Sequence, residues 1–328
     1  MNNYKKIGLT ALAASLVSVS AHAGEMSVAG SASMNVEGYT GESLNKGSGF
    51  SMGNQITFSG SGELDNGMTV SLSFTLDQGD DTTTAGAAYT GGPFDGHSVS
   101  VSSDAIGTLK LNGEGGASSA SSIDGSAAGD IWDTFDGSRG AVTATAITDS
   151  ATGDNSLFYT LPSMVDGLGV NLSYQPQGSG REAGTGWGVS YTGIDGLTAK
   201  YGVSDEVGAT VDASGDQTVW NLSYAYGPIT ATASNHDYDV GTAASDQEMS
   251  SYAISYTVSD EISITYGTEE ITEGGTGKVD AEYSAISASY TSGGMTISAA
   301  MKEGENVDHG TASNQDFEYW TLGASFAF

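Results

Sequence analysis

The stretch WTLGASFAF, Trp320 to Phe328, decides the fold. Trp320, Leu322, Ala324, Phe326 and Phe328 fall at strict two-residue spacing, with small or polar residues between them. Successive side chains of a β-strand point to opposite faces, so this period describes a strand with one apolar face and one polar face. In water such a stripe at the edge of an open sheet would be adhesive. In a closed barrel it is one stave, facing lipid on one side and a lumen on the other.

The same dyad pattern recurs upstream. Met26, Val28, Ala32, Met34 and Val36 alternate with Ser, Gly and Asn, and comparable segments follow to the end of the chain. Strands are expected around 56–64, 68–76, 98–102, 106–111, 157–161, 168–174, 187–191 and 197–203. Others follow around 220–226, 229–235, 252–258, 262–266, 283–290, 295–301 and 319–328, about sixteen in all. Their connections alternate in length. Asp65-Asn66-Gly67 is a tight hairpin turn, and Asp166-Gly167, Ile194-Asp195-Gly196 and Gly227-Pro228 are other short ones. Long links rich in Gly, Asp and Thr lie between them, from Tyr39 to Gly53, Asp77 to Gly96, Ser204 to Gln217, Gly267 to Asp280 and Lys302 to Asp316. The expected fold is an all-β transmembrane antiparallel barrel with short periplasmic turns and long extracellular loops.

Composition narrows the function classes. Residues 1–23 read as a secretory signal peptide, with Lys5 and Lys6, the apolar run Ile7 to Val19 and the small-x-small triplet Ala21-His22-Ala23. The remainder, 24–328, is expected to be a single barrel domain. No later segment approaches the ~18 apolar residues that a spanning helix needs. The chain has no cysteine, so disulfide scaffolds and thiolate metal sites are excluded. Nine basic against 40 acidic residues, a net charge of −31, argue against a nucleic-acid partner.

The longest link, about residues 112–155, is too long for a bare hairpin connection. A sixteen-stranded barrel encloses an aqueous channel, and a loop folded inward is the physical means of narrowing it. This loop carries Glu114, Asp124, Asp130, Asp133 and Asp136 against a single base, Arg139.

Here the chain resembles the general porins of Gram-negative bacteria. The likeness is carried by GNQITFSGSGELDNGMTVSLSF (Gly53 to Phe74), AIGTLKLNG (Ala105 to Gly113), DNSLFYTLPSMVDGLGVNLSY (Asp154 to Tyr174) and the terminal phenylalanine, in that order. The resemblance implies a homotrimer in the outer membrane, a third loop folded inward, and passive diffusion of ions and small hydrophilic solutes. It also implies outer-membrane lipid and lipopolysaccharide as surroundings, and Phe328 as an insertion signal read by the barrel-assembly machinery. One departure bears on selectivity: where such porins often carry basic residues on the wall facing the acidic loop, the matching positions look like Gln55 and Ser59. A lumen with excess negative charge concentrates cations, so a cation-preferring channel is expected, without enzymatic activity.

Other motifs weigh less. Gly49-Phe50-Ser51-Met52-Gly53 matches the G-x-S-x-G nucleophile elbow but leads straight into an alternating strand, so a chance match is the better reading. His97, His236 and His309 have no paired spacing and are expected in separate exposed loops. No cofactor is expected. Asp130, Asp133 and Asp136 are the set that would suit one structural calcium ion. The other function class open to the sequence is an acidic surface-layer or adhesin-like exported β protein without a conducting pore.

Overall fold

The computed structural model describes residues 26–41, 47–77, 95–135, 154–177, 183–205, 215–239, 246–307, 309 and 316–328. The expected leader, 1–23, and the loop residues Asp136 and Arg139 lie outside them. Sixteen strands are present: β1 (Met26–Gly41), β2 (Gly47–Glu63), β3 (Thr69–Asp77), β4 (Gly96–Ser103), β5 (Gly107–Glu114), β6 (Ser156–Thr160), β7 (Leu168–Gln175) and β8 (Gly184–Tyr191). The second half comprises β9 (Leu197–Asp205), β10 (Asp216–Tyr226), β11 (Ile229–Asp239), β12 (Gln247–Thr257), β13 (Ile262–Glu273), β14 (Ala281–Ser292), β15 (Met295–Glu305) and β16 (Phe317–Ala327). Every strand pairs antiparallel with its chain neighbours, and β16 returns to β1 to close the barrel.

The seam is made by the stretch that first announced the fold. β1 and β16 run in register from Ser31 opposite Ala327 to Gly41 opposite Phe317. Gly30 and Phe328 then exchange backbone hydrogen bonds of 2.7 and 2.9 Å. The Phe328 ring lies over Gly30, so close that a Cβ there would sit 2.8 Å from the ring's Cζ. The space left by the missing side chain at Gly30 thus holds this chain's own aromatic ring.

Parity holds around the wall. Leu72, Leu172, Leu222, Ile254, Ile286 and Leu322 are exposed on the outer face, and Tyr174, Tyr224, Tyr252, Tyr256, Tyr266, Tyr290 and Trp320 flank them there. This is the apolar band with interfacial aromatics that a bilayer requires.

Several boundaries differ from the sequence reading. Gly47 to Met52 pair onto β1, so the first link spans only 42–46. β11 and β13 continue to Asp239 and Glu273, well past the last apolar alternation. Beyond the hydrocarbon both faces of a strand can be polar, as at Glu269 and Glu270, and the dyad signal vanishes while the ladder continues.

The described strands β3 to β9 have 5–9 residues and β10 to β16 have 11 or 12, making one side of the wall taller. Among the described residues, apolar packing inside the barrel is confined to the tall side. Tyr39, Met249, Ile271, Tyr283 and Tyr319 on the wall pack with Ile131 and Phe135 of the long loop. A second, smaller cluster joins Ala120 and Ile123 of the loop to Val219.

Candidate functional site: the loop inside the lumen

The loop after β5 runs along the inner wall, stitched to it strand by strand. Ser119 N–H donates to Ser173 Oγ on β7 and Ala120 N–H to Ser204 Oγ on β9, each at 2.9 Å. Asn221 Nδ2 on β10 donates to Asp124 O at 2.9 Å. Ser234 Oγ on β11 accepts from Ala127 N–H at 2.7 Å and donates to Gly125 O at 2.6 Å, and Ser251 Oγ on β12 accepts from Ala128 N–H at 2.9 Å. Asn221, Ser234, Ser251 and Glu269 are successive cross-strand partners, so they form one row. Irregular backbone inside a barrel leaves orphan N–H and C=O groups, and a row of hydroxyls satisfies them without filling the lumen.

Glu269 on β13 is the strongest fixing point. Its carboxylate accepts from the Ser126 hydroxyl and, at 3.1 Å, from Trp132 N–H. Ser126 Oγ in turn accepts from Asp130 N–H at 2.7 Å. The 3-10 turn Trp132–Phe135 follows, and both Lys302 Nζ and Tyr39 OH donate to Thr134 at 2.6 Å. Glycines let the loop lie close to the wall. A Cβ at Gly202 would sit 2.7 Å from Ser119 O, and one at Gly267 would sit 2.6 Å from Ala128 Cβ.

The loop's acids are thereby held in place. Asp124, Asp130 and Asp133 are exposed on the seated loop. Asp130 has φ 49°, a left-handed backbone that a short polar side chain tolerates. Its carboxyl is pushed above the ordinary aspartate range by partial burial first and then by the charges of Asp124 and Asp133. Ser126 and Trp132 oppose the rise by hydrogen-bonding the ionised form. Lys302 lies within electrostatic reach of Glu269, Asp133 and Asp130. Glu114 is placed differently, at the end of β5 beside His97, with Oε2 3.8 Å from Nδ1. Asp136 and Arg139 fall outside the described residues.

Gln55 and Ser59 lie on the inward parity of β2, opposite Ser31 and Ser27 of β1 and opposite Asp77 and Ser73 of β3. The strands β1 to β4 carry no lysine or arginine. Lys110 on β5 has the parity opposite to the outward Leu109 and Leu111, and Lys200 on β9 pairs with the inward Asn221.

Some expectations are corrected. His236 lies within β11 and is 8% exposed, and His309, in the link before β16, is 1% exposed, so neither is an exposed loop histidine; His97 lies in β4. His236 is covered by Gly125 of the seated loop, and His309 is turned onto Val279 O, 2.9 Å from its Nδ1. Ser51 is in mid-strand opposite Asn35, whose Nδ2 lies 3.3 Å from Ser51 Oγ, and there is no elbow turn at Gly49 to Gly53. Among the described residues no group of three His, Asp or Glu side chains could hold a metal ion, and Asp136, one member of the calcium set, lies outside them.

The sequence reading missed Glu269, Lys302 and the hydroxyl row. A faint signal existed: Met249, Ile271, Ala281 and Tyr283 are apolar at positions whose parity faces the lumen. Apolar residues there require something in the lumen to cover them.

Solved structures sharing this architecture include variants of the Rhodopseudomonas blastica porin. One matches at 17% identity with a TM-score of 0.63, and a triple mutant at 16% identity with a TM-score of 0.62. Each match covers 93% of this chain and 100% of the other. No curated protein matches the sequence. The model of the Gram-negative porin family matches residues 8–328. With the closed sixteen-stranded wall and a loop seated inside it, that match establishes that the chain belongs to the Gram-negative porins, outer-membrane channels for small solutes.

Proposed function

We propose that this channel prefers cations and passes them, with small hydrophilic solutes, by passive diffusion. The observation that carries the reading is the charge distribution across the lumen. Asp124, Asp130 and Asp133 stand on the seated loop, while β1 to β4 offer Gln55 and Ser59 and carry no lysine or arginine. At ~10 Å in water one unit charge changes the energy of a passing ion by about 0.4 kcal/mol, about twofold in local concentration. Three carboxylates on the loop, with Lys302 set against them on the wall and no lysine or arginine across the lumen on β1 to β4, favour cations at low salt, and screening weakens the effect as salt rises. The loop's thickness against the tall wall sets the size limit, and no reaction cycle is involved.

Trimeric assembly, contact with lipopolysaccharide and recognition of Phe328 by the assembly machinery belong to the same reading. Family membership supports them. A closed barrel with an outward apolar band also fits a pore better than an acidic surface-layer or adhesin-like protein.

The test is simultaneous Asp124→Asn, Asp130→Asn and Asp133→Asn substitution, read in planar bilayers and by the heat-modifiable gel shift of the folded barrel. Cation preference should fall several-fold while the shift is retained. Unchanged selectivity would remove these residues from the constriction.

A further inference from the structure

The link that leaves β15 turns back onto the seated loop. Val307 is fully buried there, in one apolar cluster with Tyr283 and with Phe135, the last residue of the 3-10 turn. A Cβ on Gly304 would lie 2.9 Å from Val307 and 3.3 Å from Phe135, so link and loop share one tight contact. His309 ties this link to the one between β13 and β14. Its N–H donates to Asn306 O at 2.8 Å, its carbonyl accepts from Val279 N–H at 3.1 Å, and its Nδ1 donates to Val279 O at 2.9 Å. Asn306 adds a second tie, from Nδ2 to Asp280 O at 3.3 Å. His309 is 1% exposed and has φ 53°, a left-handed backbone uncommon outside glycine.

A carbonyl only accepts, so Nδ1 carries a hydrogen, and on the neutral ring Nε2 is then a bare lone pair. That nitrogen has no hydrogen-bond partner and lies 3.6 Å from Glu273 Oε2, at the end of β13. Two acceptors face one another, and the same carboxylate oxygen accepts from Lys278 Nζ at 2.9 Å. A proton on Nε2 turns this mismatch into a charge-assisted donor aimed at a carboxylate. Among the described residues, the charged groups of this knot are Glu273 and Lys278 at the ring, with Asp280 and Asp316 joined to it through Asn306. We propose that His309 is a pH-responsive clip on the seated loop. Taking up a proton, it binds Glu273, draws the two links together and holds Val307 against Phe135. Histidine exchanges its proton between about pH 5 and 8, so the clip is tight in mild acid and loose in mild alkali. The inference goes beyond cation preference: it concerns how steadily the loop is held, whatever the sign of its field.

The purified full-length protein in planar bilayers in potassium chloride reads the clip through brief excursions of the single-channel current from its main level. Between about pH 8 and pH 5 their frequency should fall roughly tenfold, the weight of one hydrogen bond to a charged group. His309→Gln, whose amide can still donate to Val279 O but does not titrate, should abolish that fall. Both His309→Gln and Lys278→Met leave Asp130 intact, so a response owed to Asp130 would survive His309→Gln. Lys278→Met leaves Glu273 to the imidazole alone and should move the midpoint of the response to higher pH, which a merely structural histidine would not do. Lys278 is exposed, and its substitution keeps the test open if His309→Gln yields no heat-modifiable barrel. An excursion frequency that stays level or rises on acidification, a fall retained in His309→Gln, or a midpoint unmoved by Lys278→Met would each overturn the clip. Reversal potentials on the same membranes report cation preference separately, so the two readings fail independently.

Discussion

Asp130 links the selectivity to pH, because its carboxyl holds its proton more readily than an ordinary aspartate does. Burial and the charges of Asp124 and Asp133 raise its carboxyl above the ordinary aspartate range, and Glu269 and Lys302 face the same region from the wall. As pH falls, Asp130 takes up its proton before an isolated aspartate would. Cation preference is therefore expected to start declining on the acid side at a pH above the usual carboxylate midpoint, and Asp130→Asn should remove that leading part of the titration. Reversal potentials over a pH series check both. On the other wall, Gln55→Arg would place a base on the inward face of β2, between Ser31 and Asp77. It should lower cation preference about twofold at low salt and less at high salt, as for a single unit charge.

The long loop is an element whose shape is imposed by its wall. Removing the carboxylate in Glu269→Ala would leave the Ser126 hydroxyl and Trp132 N–H without their acceptor, a loss of about 1–3 kcal/mol concentrated in the loop. Open-channel current noise should rise, while the heat-modifiable shift of the barrel remains. Gly267→Val works in the opposite sense: its side chain would meet Ala128, push the loop toward the lumen axis and lower single-channel conductance. The sequence disclosed this element only in part. Its length, its acids and its need to fold inward were readable from residues 112–155, because long links and charge runs are local features. Its anchors were not, because Ser234, Ser251 and Glu269 acquire meaning only through register with one another on strands far along the chain from the loop they hold. His236 was misplaced for the same reason: one residue of polarity in a strand's outer half looks like a loop until parity is fixed by the ladder.

At the scale of the whole molecule, alternation and turn chemistry suffice to specify a closed wall. That explains how a barrel with a TM-score of 0.63 to a known porin arises at 17% identity. Parity must be kept, but few particular residues must be. The seam is an exception, since Gly30 and Phe328 fit one another closely. Gly30→Leu should lower the yield of heat-modifiable, folded barrel, and pairing it with Phe328→Ala should restore part of that yield; gel mobility with and without heating reads both. The central claim, a field made by loop carboxylates facing strands β1 to β4 that carry no lysine or arginine, is tested most directly by the reversal potential of the purified protein across a potassium chloride gradient. A potential of the sign set by potassium permeation, shrinking as salt is raised, is the expected result. A potential of the sign set by chloride would contradict it.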